Sequence, residues 1–102
     1  MNVKEHLLTC IMEEAAEVQQ AAAKALRFGL NDGYPGTDRT NIEDLAHEIT
    51  DLLAVVNLCE QYGIDFPEIG NPDDMAHKQD RVNKMMEYAE DKGTLNYEHP
   101  LP

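Results

Sequence analysis

Basic residues are scarce in this chain. Eight Lys and Arg stand against 20 Asp and Glu, giving a formal net charge of −12 over 102 residues. That balance disfavours an electrostatic grip on nucleic acid or an anionic membrane surface, so a protein of this kind that handles phosphates needs metal to bridge them. Cysteine is nearly missing too: Cys10 and Cys59 show no metal-ligand spacing, and both fall within apolar helical patterns. This excludes a disulfide framework and leaves them as reduced thiols acting as small buried hydrophobes. No segment holds the roughly 20 consecutive apolar residues of a membrane span, and the N-terminus lacks the apolar run of a signal peptide. A soluble, cytoplasmic protein is the expectation. Internal repeats and strand signals are absent as well. The small size makes further burial through oligomerisation, as a homodimer or homotetramer, a reasonable expectation.

What is present is helical periodicity. From Val3 to about Phe28, Leu7, Leu8, Ile11, Ala15, Val18, Ala22, Ala25 and Leu26 recur at three- and four-residue steps, and Gly29 is a stop. Residues Leu30 to Arg39 include Asn31, Asp32, Gly33, Pro35 and Gly36, which give a loop with Tyr34 near its tip. A second helix opens with a Thr40/Glu43 capping box and runs to Gly63 through Leu45, Ile49, Leu52, Leu53, Val56, Leu58 and Cys59. After a connection containing Pro67, Asn71 caps a third helix with Pro72 at its first position and Asp73 and Asp74 in its first turn; it ends near Lys92. The pattern predicts an all-α fold: a three-helix subunit with a long antiparallel helix pair, a third helix packed across it, and a four-helix bundle core on oligomerisation. The domain is expected to span 1–93. Residues 94–102, ending in His99-Pro100-Leu101-Pro102, are expected to be an extended or disordered tail.

Glu14-x-x-Glu17 and Glu48-x-x-Asp51 each place two carboxylates on one side of a helix, about a turn apart. Chance alone yields about four acidic pairs at this spacing in a chain so rich in acids. The four present are Glu14/Glu17, Glu48/Asp51, Asp65/Glu68 and Glu87/Glu90. Spacing is therefore uninformative, and the bland account of any pair is a solvated helix face. Context separates the first two, which lie among Ala15, Ala16 and Val18 and among Ala46, Ile49, Leu52 and Leu53. On a helical wheel Cys10, Glu14, Glu17, Ala21 and Lys24 share one stripe, and Asp44, Glu48, Asp51 and Val55 another. If the two stripes face each other, four carboxylates converge and require a cation, for which a hard divalent metal is suited. Glu13 lies at the edge of the first arc.

At these residues the chain resembles the MazG-like all-α nucleoside triphosphate pyrophosphohydrolases, whose pattern is E-E-x-x-E followed by E-x-x-D on the next helix. Here the residues are Glu13-Glu14-Ala15-Ala16-Glu17 and Glu48-Ile49-Thr50-Asp51. The likeness continues through Tyr62-Gly-Ile-Asp65 to Lys78-x-x-Arg81 and covers roughly Leu8 to Val82. Many relatives carry an asparagine seven residues after the aspartate; that position is Leu58 here, and the role does not pass to Asn57. The resemblance implies that Glu14, Glu17, Glu48 and Asp51 bind Mg2+, with Mn2+ a possible substitute. It implies water attack on the α-phosphorus of a nucleoside triphosphate, releasing the monophosphate and pyrophosphate. Glu13 or Glu14 would accept the water's proton, and Lys78 and Arg81 would hold phosphates. Lys24, on the stripe of Glu17, is a further phosphate candidate, with an ordinary surface pair as the simpler account. Tyr34 and Phe28 are candidates to stack on a base, although packing is the plainer role for Phe28.

Two other classes compete. A di-iron or di-manganese bundle wants Glu-x-x-His pairs, and the chain offers only Asp44-x-x-His47 and Asp74-x-x-His77. A non-enzymatic helical interaction module would leave the acids merely solvated. Within the resembling superfamily, phosphoribosyl-ATP pyrophosphohydrolases and dimeric dUTPases are the rivals, and short length with E-E-x-x-E leans toward the MazG-like branch.

Overall fold

The computed structural model describes residues 1–96. It contains three helices in order, α1 Val3–Phe28, α2 Asn41–Gln61 and α3 Pro72–Asp91. Among the described residues there is no strand. The all-α expectation is met, and the helix boundaries fall within two residues of those read from the sequence.

Each start has a local chemical cause. Asn2 caps α1 in a capping box with Glu5, its side chain accepting from the Glu5 amide at 2.8 Å while Glu5 accepts from the Asn2 amide at 3.1 Å. Thr40 and Glu43 form the equivalent box at α2. At α3, the Asn71 side chain accepts from the amides of Asp73 and Asp74 ahead of Pro72. The stops are equally local. Gly29, at φ 99°, donates its amide to the Ala25 carbonyl, and its backbone lies where a side chain is rarely tolerated. After α3, the Thr94 amide and hydroxyl both reach the Ala89 carbonyl, so the first residue beyond Gly93 folds back on the helix end. The rest of the expected tail, from residue 97 on, lies outside the described residues.

The chain divides into two compact units. The first carries α1 and α2, and the second begins at Phe66 and carries α3. Within the first, the helices run antiparallel. At one end buried Asn41 donates from Nδ2 to the Gly29 carbonyl at 2.8 Å; at the other, a Cβ at Gly63 would sit 3.7 Å from Lys4 Cε. Leu7, Ala21, Ala25 and Cys59 are buried, Cys59 completely, while Cys10 is half-buried. Both thiols are free. Leu8, Met12, Ile49 and Leu53 stay exposed in spite of their helical spacing.

The loop from 29 to 40 is stitched to the start of α2. The first amides of a helix have no partner inside it, and here Asn41 donates to the Asp32 carbonyl at 2.6 Å and Ile42 to the Leu30 carbonyl at 3.0 Å. The Thr37 amide and hydroxyl both bond the Tyr34 carbonyl, and Asp32 Oδ1 accepts from the Gly33 amide. The segment that the sequence marks as a loop is thus tied at several points. A Cβ at Gly33 would overlap the Arg39 carbonyl oxygen. Gly33→Ala is therefore expected to destabilise the protein by about 1–3 kcal/mol through a forced backbone shift. Chemical denaturation checks this, and an unchanged midpoint contradicts it.

Candidate functional site

Packing α1 against α2 brings acids from both helices together. One carboxylate oxygen from each of Glu14, Glu17 and Glu48 lies within 4.8 Å of the others. Glu14 Oε2 and Glu48 Oε2 are buried and have no hydrogen-bond partner among the described residues. Both carboxyls are pushed above their ordinary range. For Glu14 the main cause is loss of water, followed by the charges of Glu17, Asp51 and Glu13. For Glu48 it is the approach of the Glu17 carboxyl, which favours a retained proton, followed by loss of water and the charges of Glu17 and Asp51; His47 pulls the other way. Carboxylates only accept, so buried oxygens facing other acids gain a favourable partner only from a proton or a cation. The donor set is entirely oxygen, which fits a hard divalent ion.

The other expected residues take different places. Asp51 is outside the three-oxygen convergence, although its charge reaches both Glu14 and Glu48. It lies 3.4 Å from His47 Nε2, one turn earlier on α2. Glu13 is exposed beside Glu14. Lys24 is exposed and lines a recess of about 350 Å³ together with Glu17, Gln20, Ala21, Asn41, Asp44 and Glu48. It has no carboxylate within salt-bridge distance among the described residues, so the simple ion pair weighed from the sequence does not form. Lys78 and Arg81 belong to α3 in the second unit, where they line an open groove with Val82, Met85, Met86 and Leu95.

Sequence reasoning overlooked Asn41. Its side chain is 6% exposed, bridges the helix pair through Gly29 and forms part of the recess beside Glu48. The Thr40/Glu43 box locates the helix start, but nothing in the linear pattern tells that the next residue turns inward. Asp44 appears in the acidic stripe, yet it is engaged by Arg39, with Nε at 2.9 Å, across an exposed surface. Phe28, for which packing is the plainer expectation, is 58% exposed.

A family model described as phosphoribosyl-ATP pyrophosphohydrolase matches residues 1–77, a span that includes α1, α2 and their acids. No curated protein and no solved structure matches the chain. The matched branch is the one the sequence reading placed behind the MazG-like branch, within one superfamily. Such a family consists of enzymes that cleave phosphoric anhydride bonds, which sets aside the non-enzymatic interaction module. Among the described residues, no helix is long and apolar enough to cross a membrane.

Proposed function

Because the chain belongs to the phosphoribosyl-ATP pyrophosphohydrolase family, we propose that it hydrolyses a nucleoside triphosphate between the α- and β-phosphorus atoms in a Mg2+-dependent reaction. Phosphoribosyl-ATP is the substrate that the family match favours, and ordinary (d)NTPs are the broader class. The observation that carries this reading is the pair of buried, unpartnered oxygens of Glu14 and Glu48 facing Glu17. Glu14, Glu17 and Glu48, with Asp51 beside them, are the residues that would hold the metal. A divalent cation bound there offsets the charge of the triphosphate and makes a nearby water more acidic.

This chain's residues then have separable tasks. Glu13 or Glu14 accepts the proton of the attacking water. The water oxygen bonds to the α-phosphorus, the bridging α–β bond breaks, and the electron pair leaves with pyrophosphate. Lys24, at the wall of the recess, balances phosphate charge. Lys78 and Arg81 are assigned to the outer phosphates on the strength of the motif, where the arginine fork suits bidentate contact. Residues 1–93 act as the catalytic domain, in the cytoplasm. Exposed Leu8, Met12, Ile49 and Leu53, spaced one turn apart on α1 and α2, support a homodimer or homotetramer completing a four-helix bundle.

The test is a panel of phosphoribosyl-ATP, NTPs and dNTPs assayed with Mg2+ and with EDTA. Pyrophosphate release that vanishes with EDTA is expected. Release of orthophosphate alone, or turnover that persists in EDTA, overturns the reading.

A further inference from the structure

A second recess, of about 480 Å³, opens where α1 ends and the loop begins. Phe28, Asp32, Tyr34 and Pro35 line it together with Lys24, Asn41 and Asp44, and these last three also line the recess beside the acids. The two spaces therefore share a wall. A ligand whose phosphates lie, through a bound cation, beside Glu17 and Glu48 has this second space adjacent for its other end. We infer that this loop recess takes the heterocyclic base of the substrate, with Phe28 and Tyr34 as stacking surfaces and an amino-bearing purine as the matching ring. This rests on the hydrolase reading for the phosphate end of the path alone.

Five observations bear on it. Phe28 and Tyr34 are 58% and 77% exposed, which leaves aromatic surface open for a flat ring to stack on. Arg27, which does not line the recess, sits 5.3 Å from the Phe28 ring centre and occupies one face of that ring. The polar lining is rich in acceptors. Asp32 uses Oδ1 for the Gly33 amide, and Asp44 uses Oδ1 for Arg39, which leaves the second oxygen of each to accept from an exocyclic amino group. The volume falls within the roughly 300–1,000 Å³ of small-molecule sites. The hydrogen bonds that stitch residues 29–42 hold the aromatic side of the recess in place before any ligand arrives.

Two measurements on the full chain test this. The first is saturation-transfer NMR with adenosine and AMP as probes, irradiating aromatic protein protons. The second is steady-state kinetics with ATP against inorganic tripolyphosphate, which has no base. Saturation should reach the purine H2 and H8 protons. Phe28→Ala and Tyr34→Ala should each raise the ratio of the KM for ATP to the KM for tripolyphosphate about ten-fold, with kcat for ATP changing little and Tyr34→Phe restoring the ratio. A wild-type preference for ATP over ITP of about ten-fold should shrink in Asp32→Ala, where only the Asp44 oxygen is left to accept. An unchanged KM ratio in both aromatic variants, or no saturation of the base protons, overturns the proposal. Should the wild-type protein hydrolyse neither these compounds nor phosphoribosyl-ATP, the hydrolase reading fails by itself. The base site is then decided by NMR: saturation lost in the Phe28→Ala/Tyr34→Ala double variant upholds it, and saturation that survives overturns it.

Discussion

Glu48→Gln is expected to lower magnesium-dependent kcat by about a thousand-fold while the helices remain folded. The reason is the electrostatic position of this carboxyl. Its Oε2 is buried without a partner, and its neighbours are the acids Glu14 and Glu17. An amide of the same shape keeps one oxygen but replaces the other with a donor and removes the negative charge. With no metal present, that exchange relieves repulsion and offers the neighbouring carboxylates a hydrogen bond. The variant should therefore melt at the same temperature as the wild type, or higher, in EDTA. With magnesium the order reverses, since an ion that binds only the folded state stabilises it. Thermal melts with EDTA and with magnesium, alongside pyrophosphate release, check all three parts. A variant that retains wild-type turnover removes Glu48 from the chemistry. One that unfolds in EDTA shows that the acid was structural.

Asn41→Ala is expected to destabilise the helix pair by about 1–3 kcal/mol. Asn41 Nδ2 donates at 2.8 Å to the Gly29 carbonyl, a buried contact that fastens the end of α1 to the start of α2. Removing the donor strands a carbonyl that water does not reach. For a chain of this size each kcal/mol corresponds to roughly 4–8 °C in Tm. Asn41→Asp makes a sharper comparison. A carboxylate at the first position of a helix is favoured by the dipole, yet here it would place an acceptor against an acceptor. A fall in Tm at least as large as for alanine supports the bond as the cause. If aspartate is neutral or stabilising, the tie to Gly29 contributes little.

Much of this architecture was legible because helix ends are specified locally. The Thr40/Glu43 box and the Asn71-Pro72 start act within a single turn, so four residues suffice to place each of them. The Glu14/Glu17 and Glu48 convergence was also readable, since small apolar neighbours set those acids apart from the Glu87/Glu90 pair. What escaped depends on how the helices meet. Whether Asn41 faces inward is set by the loop carbonyls of Leu30 and Asp32, which capture the first amides of α2 and fix its rotation. Asp51 shares a stripe with Glu48, but its carboxylate lies by His47, outside the tight group. Exposure of Phe28 could not be read either, because periodicity says which side of a helix is apolar and not whether the chain has anything to lay over it.

The wall common to the two recesses divides the molecule's capacity to change. Replacing Lys24, Asn41 or Asp44 disturbs both spaces together, so a lineage altering them risks turnover along with affinity. The ring-bearing rim at Phe28 and Tyr34 touches one space alone. New preferences for one heterocycle over another are free to accumulate there, one substitution at a time, while the hydrolytic apparatus is inherited intact.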